Sequence, residues 1–136
     1  MTTPKNIIGA VEKITFPDFG LSAVAKIDTG ASTGAIHCTR VRVVRDSKGQ
    51  GVLSFTPFDH SQKRVKTHNF FTKIVKSSNG QTENRFFFNT NIKVGDKIYP
   101  IILSLTDRTE MKFEVLIGKE FLKENNFLVD VSIENG

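Results

Sequence analysis

Period-two patterning dominates this chain and restricts its fold more than any other feature of the sequence. Leu21 to Ile27 alternates: Ala23, Ala25 and Ile27 share one face, and Val24, Lys26 and Asp28 share the other. Val41 and Val43 alternate with Arg40, Arg42 and Arg45, as in a strand with one wet face. Ile7 to Phe16, Val52 to Phe58, Phe70 to Val75, Arg85 to Ile92 and Ile98 to Leu105 are β-branched or aromatic runs of strand length. Ser47-Lys48-Gly49, Ser78-Asn79-Gly80 and Val94-Gly95-Asp96 separate such runs with residues that tolerate positive φ. The sharpest turn, Ser77-Ser78-Asn79-Gly80-Gln81, predicts a hairpin joining Lys73–Lys76 to Asn84–Phe88.

One segment alone reads as helix. Gly118-Lys119-Glu120-Phe121-Leu122-Lys123-Glu124-Asn125 has good helix formers and ends on an Asn pair. It follows the apolar run Val115-Leu116-Ile117 and precedes a closing strand, Phe127 to Val131. The expected class is all-β with one short C-terminal helix. A single domain over residues 1–136 is expected, a size at which one core suffices. Phe86-Phe87-Phe88 is continuous, which puts one ring on an outer face as core or dimer contact.

Composition removes several function classes. Cys38 is the one cysteine, so neither an internal disulfide nor a Cys-rich zinc site is available. His37, His60 and His68 form no His-Glu-x-x-His motif, and His37 and Cys38, adjacent in a strand, should face opposite ways. No Gly-rich nucleotide loop occurs. No metal or cofactor is expected. Met1-Thr2-Thr3-Pro4-Lys5-Asn6 lacks the order of a secretory leader, and no apolar run reaches the roughly 18 residues of a membrane span. A cytoplasmic protein is expected, with no membrane association.

The net charge of +5 is unevenly placed. Arg40, Arg42, Arg45, Lys48, Lys63, Arg64, Lys66, Lys73 and Lys76 are opposed only by Asp46 and Asp59 over the same stretch. Such a face attracts nucleic acid, acidic peptides or anionic surfaces, though its commonest use is to keep a protein in solution. Nucleic-acid binding has the least support, because the paired aromatic-basic motifs of an RNA-recognition fold are missing.

Two segments carry chemistry. In Ala25-Lys26-Ile27-Asp28-Thr29-Gly30-Ala31-Ser32-Thr33 a carboxylate ends an apolar strand and enters a tight loop. Gly30 lets the backbone bend back towards that carboxylate, and the Thr29 hydroxyl can lock the turn. Asp-Thr-Gly alone is a weak motif, since many strand ends use it. The second segment, Phe113-Glu114-Val115-Leu116-Ile117-Gly118-Lys119-Glu120-Phe121-Leu122, is a hydrophobic-hydrophobic-Gly run opening a helix. The two together, in this order, resemble the retropepsin-like aspartic peptidases.

Further segments narrow the resemblance. Val75-Lys76-Ser77-Ser78-Asn79-Gly80, Glu83-Asn84-Arg85, Leu105-Thr106-Asp107-Arg108, Met111-Lys112-Phe113 and Leu128-Val129-Asp130 resemble the bacterial branch labelled "ATP-dependent zinc protease". The likeness runs from about Ile7 to Val131. It implies a closed β-barrel or sandwich in which the late Gly segment threads the Asp loop and the hairpin forms a flap. It also implies a partnership with ATP-grasp ligases that add glutamate to proteins; the zinc and ATP of the label find no residues here. Three positions depart from the family pattern: Thr33-Gly34-Ala35-Ile36-His37 for the usual Thr-Ser-Ala-Leu-His, Lys119 for Arg after Gly118, and Glu114 for Pro. Lys119 forgoes any bidentate ion pair an Arg would make.

The resemblance implies Asp28, Thr29 and Gly30 as the catalytic loop. Ala31 and the flap residues Ser77, Ser78, Asn79 and Gly80 would contact substrate. Arg85 reads as a contact for an acidic substrate side chain or as a solvated strand residue. Aspartic chemistry needs two facing carboxylates that share one proton, and the chain has one Asp-Thr-Gly, so a homodimer acting on a peptide or protein is expected. The alternative is a non-catalytic module that binds peptide or ligase along the same groove. Asp107 and Arg108, with Glu110 nearby, read as a loop ion pair, the alternative being one that stabilises a dimer or the active site, and Asp130 reads as part of the closing strand's polar face.

Overall fold

The computed structural model describes residues 6–59, 61–76, 79–107 and 112–136. The elements, in order, are β1 (Asn6–Phe16), β2 (Leu21–Ile27), β3 (Gly34–Arg45), β4 (Gly51–Pro57), β5 (Val65–Thr67), β6 (Phe70–Lys76), β7 (Thr82–Val94), β8 (Lys97–Thr106), β9 (Val115–Ile117), α1 (Lys119–Glu124) and β10 (Phe127–Asn135). Hydrogen-bonded neighbours run β10-β1-β2-β9-β3-β8-β7-β6. A further pairing, with Ile14 of β1 opposite Val94 of β7, closes β1-β2-β9-β3-β8-β7 into a six-stranded barrel. Closure removes the open edges that would otherwise invite mispairing. Strands β10 and β6 extend the sheet beyond the ring, and β4 and β5 form a ribbon on β3. No helix among the described residues is long and apolar enough to cross a membrane.

The alternation of β2 survives folding: Ala25 and Ile27 are buried, while Ser22, Val24 and Lys26 are exposed. In the core Ile14, Ile36, Leu53, Ile92, Leu103, Val115 and Ile117 lose all contact with solvent. Phe rings fill the space between them. Phe55 meets Phe88 at 5.0 Å between centroids, and Phe16 stacks on Phe19 at 4.8 Å. A second aromatic group seats α1, where Tyr99 meets Phe121 at 5.6 Å and Phe127 at 5.5 Å. The helix stops as its Asn pair predicts: Asn125 Nδ2 donates to the Phe121 carbonyl (2.9 Å), and Asn126 takes φ 55°.

The structure adds to the local readings in three places. The alternation of Val41 and Val43 breaks at a bulge between Thr39 and Arg42, where Arg40 has φ 55°. The extra residue re-aims the strand, and Val43 ends 43% exposed. Strand β5 was hidden by its shortness and by its central lysine. Phe87, one ring of the continuous triplet, is buried at 7% exposure outside the main core cluster, under a parallel stack on Phe71 at 5.3 Å.

Two outcomes test this packing. Phe88→Ala removes a ring that is 1% exposed and should cost about 3–5 kcal/mol in chemical denaturation. At the β3–β4 turn, Asp46 Oδ1 accepts from the Lys48 and Gln50 amides (2.9 Å each), and Oδ2 meets His68 Nε2 at 3.0 Å. The His68 bond, followed by that of Gln50, holds the Asp46 carboxyl below its ordinary 3.8. A carboxyl lowered by folding stabilises above its unfolded pKa and loses that stabilisation as pH falls through the folded one. Amide protection at Lys48 and Gln50 should therefore weaken on acidification below about pH 4, and Asp46→Asn should abolish that dependence.

Candidate active site

Strand β9 lies between the two strands that flank the Asp28 loop. Ile27 of β2 pairs with Ile117 in parallel, and Ala35 of β3 pairs with Leu116 antiparallel. The loop from Asp28 to Thr33 must therefore cross the junction of β9 and α1. Gly118 sits at that crossing. A Cβ there would lie 2.7 Å from the Ser32 carbonyl oxygen, 2.8 Å from the Thr33 carbonyl carbon and 2.9 Å from the Ala31 oxygen, so only glycine permits the approach. Gly34 meets the same constraint, because a Cβ on it would overlap the Leu116 carbonyl.

Backbone hydrogen bonds complete the clamp. The Asp28 amide donates to the Ile117 carbonyl (2.8 Å), and the Lys119 and Glu120 amides donate to the carbonyls of Ala31 (2.7 Å) and Ser32 (3.1 Å). No side chain caps α1 at Gly118, so the Asp loop satisfies the first amides that a helix leaves open. Within the loop, Gly30 N–H donates to Asp28 Oδ1 (3.0 Å), the close return that the Asp-x-Gly spacing predicts. Asp28 is half-buried, while Thr29 and Gly30 are exposed. A carboxylate is thus held by fixed backbone at the surface, with room for water beside it.

The residue triplet Asp28, Thr29, Gly30 and its neighbour Ala31 share this loop. The hairpin forms as read, with β6 and β7 in register from Phe70 opposite Phe88 to Lys76 opposite Thr82. Its outer part is exposed on both faces, Ile74 to 77%, so it stands off the barrel as an arm. At the tip Gly80 takes φ 86° and Asn79 Oδ1 accepts from the Gln81 amide (3.1 Å). Ser77 and Ser78 lie outside the described residues. Arg85 Nε and Nη2 donate to Glu83 Oε1 (2.8 and 2.6 Å), so its guanidinium is engaged by a strand neighbour. Asn79 and Arg85 line a recess along the arm, apart from the Asp28 loop. The base of the arm does reach the loop: Phe71, Lys73 and Phe87 join Ser32, Thr33 and the exposed side of α1 around a cavity of about 200 Å³.

One arrangement was not foreseen. His37, fully buried, donates from Nε2 to Asp59 Oδ1 (2.6 Å) and brings Nδ1 to 3.6 Å from Asp107 Oδ1. The pairing of Cys38 opposite Pro57 delivers Asp59 to this ring, a contact 22 residues apart that no local pattern announces. Arg108 and Glu110, read as partners of Asp107, lie outside the described residues, as does His60. Cys38 is buried in the core, and burial pushes its thiol up to about 12. It remains a neutral thiol at physiological pH. Among the described residues no group of three or more His, Cys, Asp or Glu is placed to hold a metal. Asp130 lies on the exposed side of β10, where hydrogen bonds from Ser132 lower its carboxyl.

The model of the retropepsin-like aspartic endopeptidase RimB family matches residues 7–135. The chain belongs to this RimB-like family. A protein of unknown function from Legionella pneumophila shares the fold with a TM-score of 0.80 and 29% identity, over 97% of this chain and 98% of that one. A "Probable alpha-L-glutamate ligase" of Shewanella pealeana is 34% identical over 97% of this chain, and one from Desulfotalea psychrophila is 30% identical over 96%. The RimB-like chain spans only 30% and 29% of the lengths of those two relatives.

The crossing of the RimB-like loop over Gly118 makes a direct prediction. Gly118→Ala should displace the Ala31–Thr33 backbone and cost about 1–3 kcal/mol. Thermal denaturation reads the cost, and the Gly30 amide resonance, tied to Asp28, reads the displacement.

Proposed function

We propose that this chain is one subunit of an aspartic-type peptidase, completed when the Asp28 carboxylates of two copies meet across a two-fold axis. The observation that carries the reading is the clamped loop, with Asp28 at its head, in a member of the RimB-like family. Exposure of Thr29 and Gly30 leaves the loop open for a twin to approach. Among the described residues the Asp28 side chain takes its hydrogen bond from the Gly30 amide rather than from a carboxyl group, and the reading draws its second carboxyl from another copy.

In the assembled pair, the ionised carboxylate takes a proton from a water molecule as its oxygen attacks the scissile carbonyl carbon. The protonated partner gives its proton to the carbonyl oxygen. Collapse of the tetrahedral diol then breaks the C–N bond, and the amine leaves with a proton returned by a carboxyl group. The β6–β7 arm, with Asn79 and Gly80 at its tip, closes over the substrate and limits water access. The cavity between Ser32, Thr33 and the stacked Phe71 and Phe87 offers a recess beside the loop for a substrate side chain.

Substrates bearing acidic or γ-glutamyl extensions fit best. Relatives that carry a homologous stretch within a longer polypeptide named as an alpha-L-glutamate ligase support this, as does the basic surplus of the chain. The same kinship supports an ATP-grasp ligase as partner. A second reading, a binding module without catalysis, is favoured by the isolation of Asp28 within one chain.

The test is cleavage of a diverse peptide mixture, including glutamate-extended peptides, from acid to neutral pH. Asp28→Asn should reduce cleavage by at least about a hundredfold while the dimer persists in sedimentation. A protein that stays monomeric at every concentration, or cleaves nothing as a dimer, belongs to the second reading.

A further inference from the structure

The ribbon of β3, β4 and β5 bears a cluster that the peptidase reading does not use. Arg40, Arg42, Arg64 and Lys66 line, with Val41, an open groove of about 520 Å³. Arg64 is fixed in place: Nε donates to Ser54 Oγ (2.7 Å) and Nη1 to Thr56 Oγ1 (3.2 Å), both on buried residues of β4. Desolvation, then the charges of Arg42 and Arg40, lower the Arg64 pKa. Arg40 holds its left-handed φ of 55° in the bulge, a conformation that strains a residue with a Cβ and tends to persist where function requires it. No carboxylate lines the groove, and among the described residues none of the four cations joins an ion pair.

We propose that this groove is a second binding site, an exosite for the carboxylates of an acidic polypeptide, separate from the Asp28 loop. Four gathered cations without a counter-charge repel one another, and a bound polyanion relieves that repulsion. Guanidinium forks, one of them pre-oriented by two hydroxyls, match carboxylates in bidentate geometry. Single-stranded nucleic acid is the poorer fit, because no aromatic ring lines the groove to stack a base. Arg40 lies six residues along β3 from Gly34, on the order of 20 Å from the clamped loop. The groove therefore grips a substrate at a point remote from the bond to be broken, and raises its local concentration at the catalytic loop. An anion site follows from the groove itself; the choice of an acidic polypeptide rests on the peptidase reading.

A fluorescein-labelled oligoglutamate, titrated by anisotropy against the full chain at two salt concentrations, tests the exosite. Asp28→Asn serves as the reference protein so that the probe is not consumed. Arg42→Glu with Lys66→Glu alters two exposed side chains that make no hydrogen bond to the described residues, which spares the fold; circular dichroism checks it. Introduced beside Asp28→Asn, this pair should weaken binding at least tenfold relative to Asp28→Asn alone and flatten its salt dependence. Unchanged affinity in the charge-reversed protein overturns the exosite. Tighter binding of an oligouridylate of equal charge, lost with the same two residues, overturns the acidic polypeptide in favour of nucleic acid. If no peptide is cleaved yet oligoglutamate binding depends on Arg42 and Lys66, the peptidase reading falls and the exosite stands; cleavage with no such dependence gives the reverse.

Discussion

Everything at the Asp28 end of the barrel depends on three residues of β9 and the glycine after them. Val115 and Ile117 anchor β9 in the core with no exposure, and the strand separates β2 from β3. That insertion forces the Asp28 loop over Gly118 and brings loop carbonyls onto the first amides of α1. A helix of six residues is too short to stand alone in water. Here it is held by the loop at its start and by Tyr99 and Phe127 against Phe121 on its flank. Loop, strand and helix form one cooperative unit, so the carboxylate inherits the rigidity of the core without being buried in it.

This division has an energetic logic. A fully buried carboxylate would demand several compensating hydrogen bonds or lose its charge. Asp28 avoids that cost by standing at the rim, where Gly30 supplies one amide and solvent supplies the rest. Stability comes from elsewhere, chiefly the Phe and Ile layers and the terminal lock in which Asn135 Nδ2 donates to the buried Glu12 carboxylate at 2.6 Å. The β6–β7 arm bears the opposite character, exposed on both faces and joined to the barrel mainly at its base. Elements so lightly packed are the ones that can open and close at low cost.

The fold was legible wherever one local signal decided the outcome. The strict alternation of β2, the Ser-Ser-Asn-Gly-Gln turn and the Asn pair after α1 each reported on neighbours within a few residues. What escaped depended on distant registers. The bulge at Arg40 follows from how β3 meets β4, and Val41 and Val43 alone carry no trace of it. Asp-Thr-Gly and Leu-Ile-Gly were each ambiguous, and their meeting at Gly118 is a consequence of topology that the family resemblance supplied and spacing could not. The His37–Asp59 contact needed the Cys38–Pro57 pairing, and the basic run from Arg40 to Lys66 became a groove only when β4 paired with β3 on one edge and β5 on the other.

Symmetry links the two proposed sites. A catalytic pair built from one Asp per chain has a two-fold axis through it, and that axis duplicates every other feature of the subunit. The Arg40–Arg42–Arg64–Lys66 groove then occurs once on each side of the scissile bond, with the same spacing to it. A long acidic polypeptide crossing the catalytic pair could be held by both ribbons at once, and the second contact would form at the high effective concentration set by the first. A short acidic peptide would reach only one. Length of the acidic tract, rather than the residues at the cleaved bond, becomes the quantity such an assembly measures.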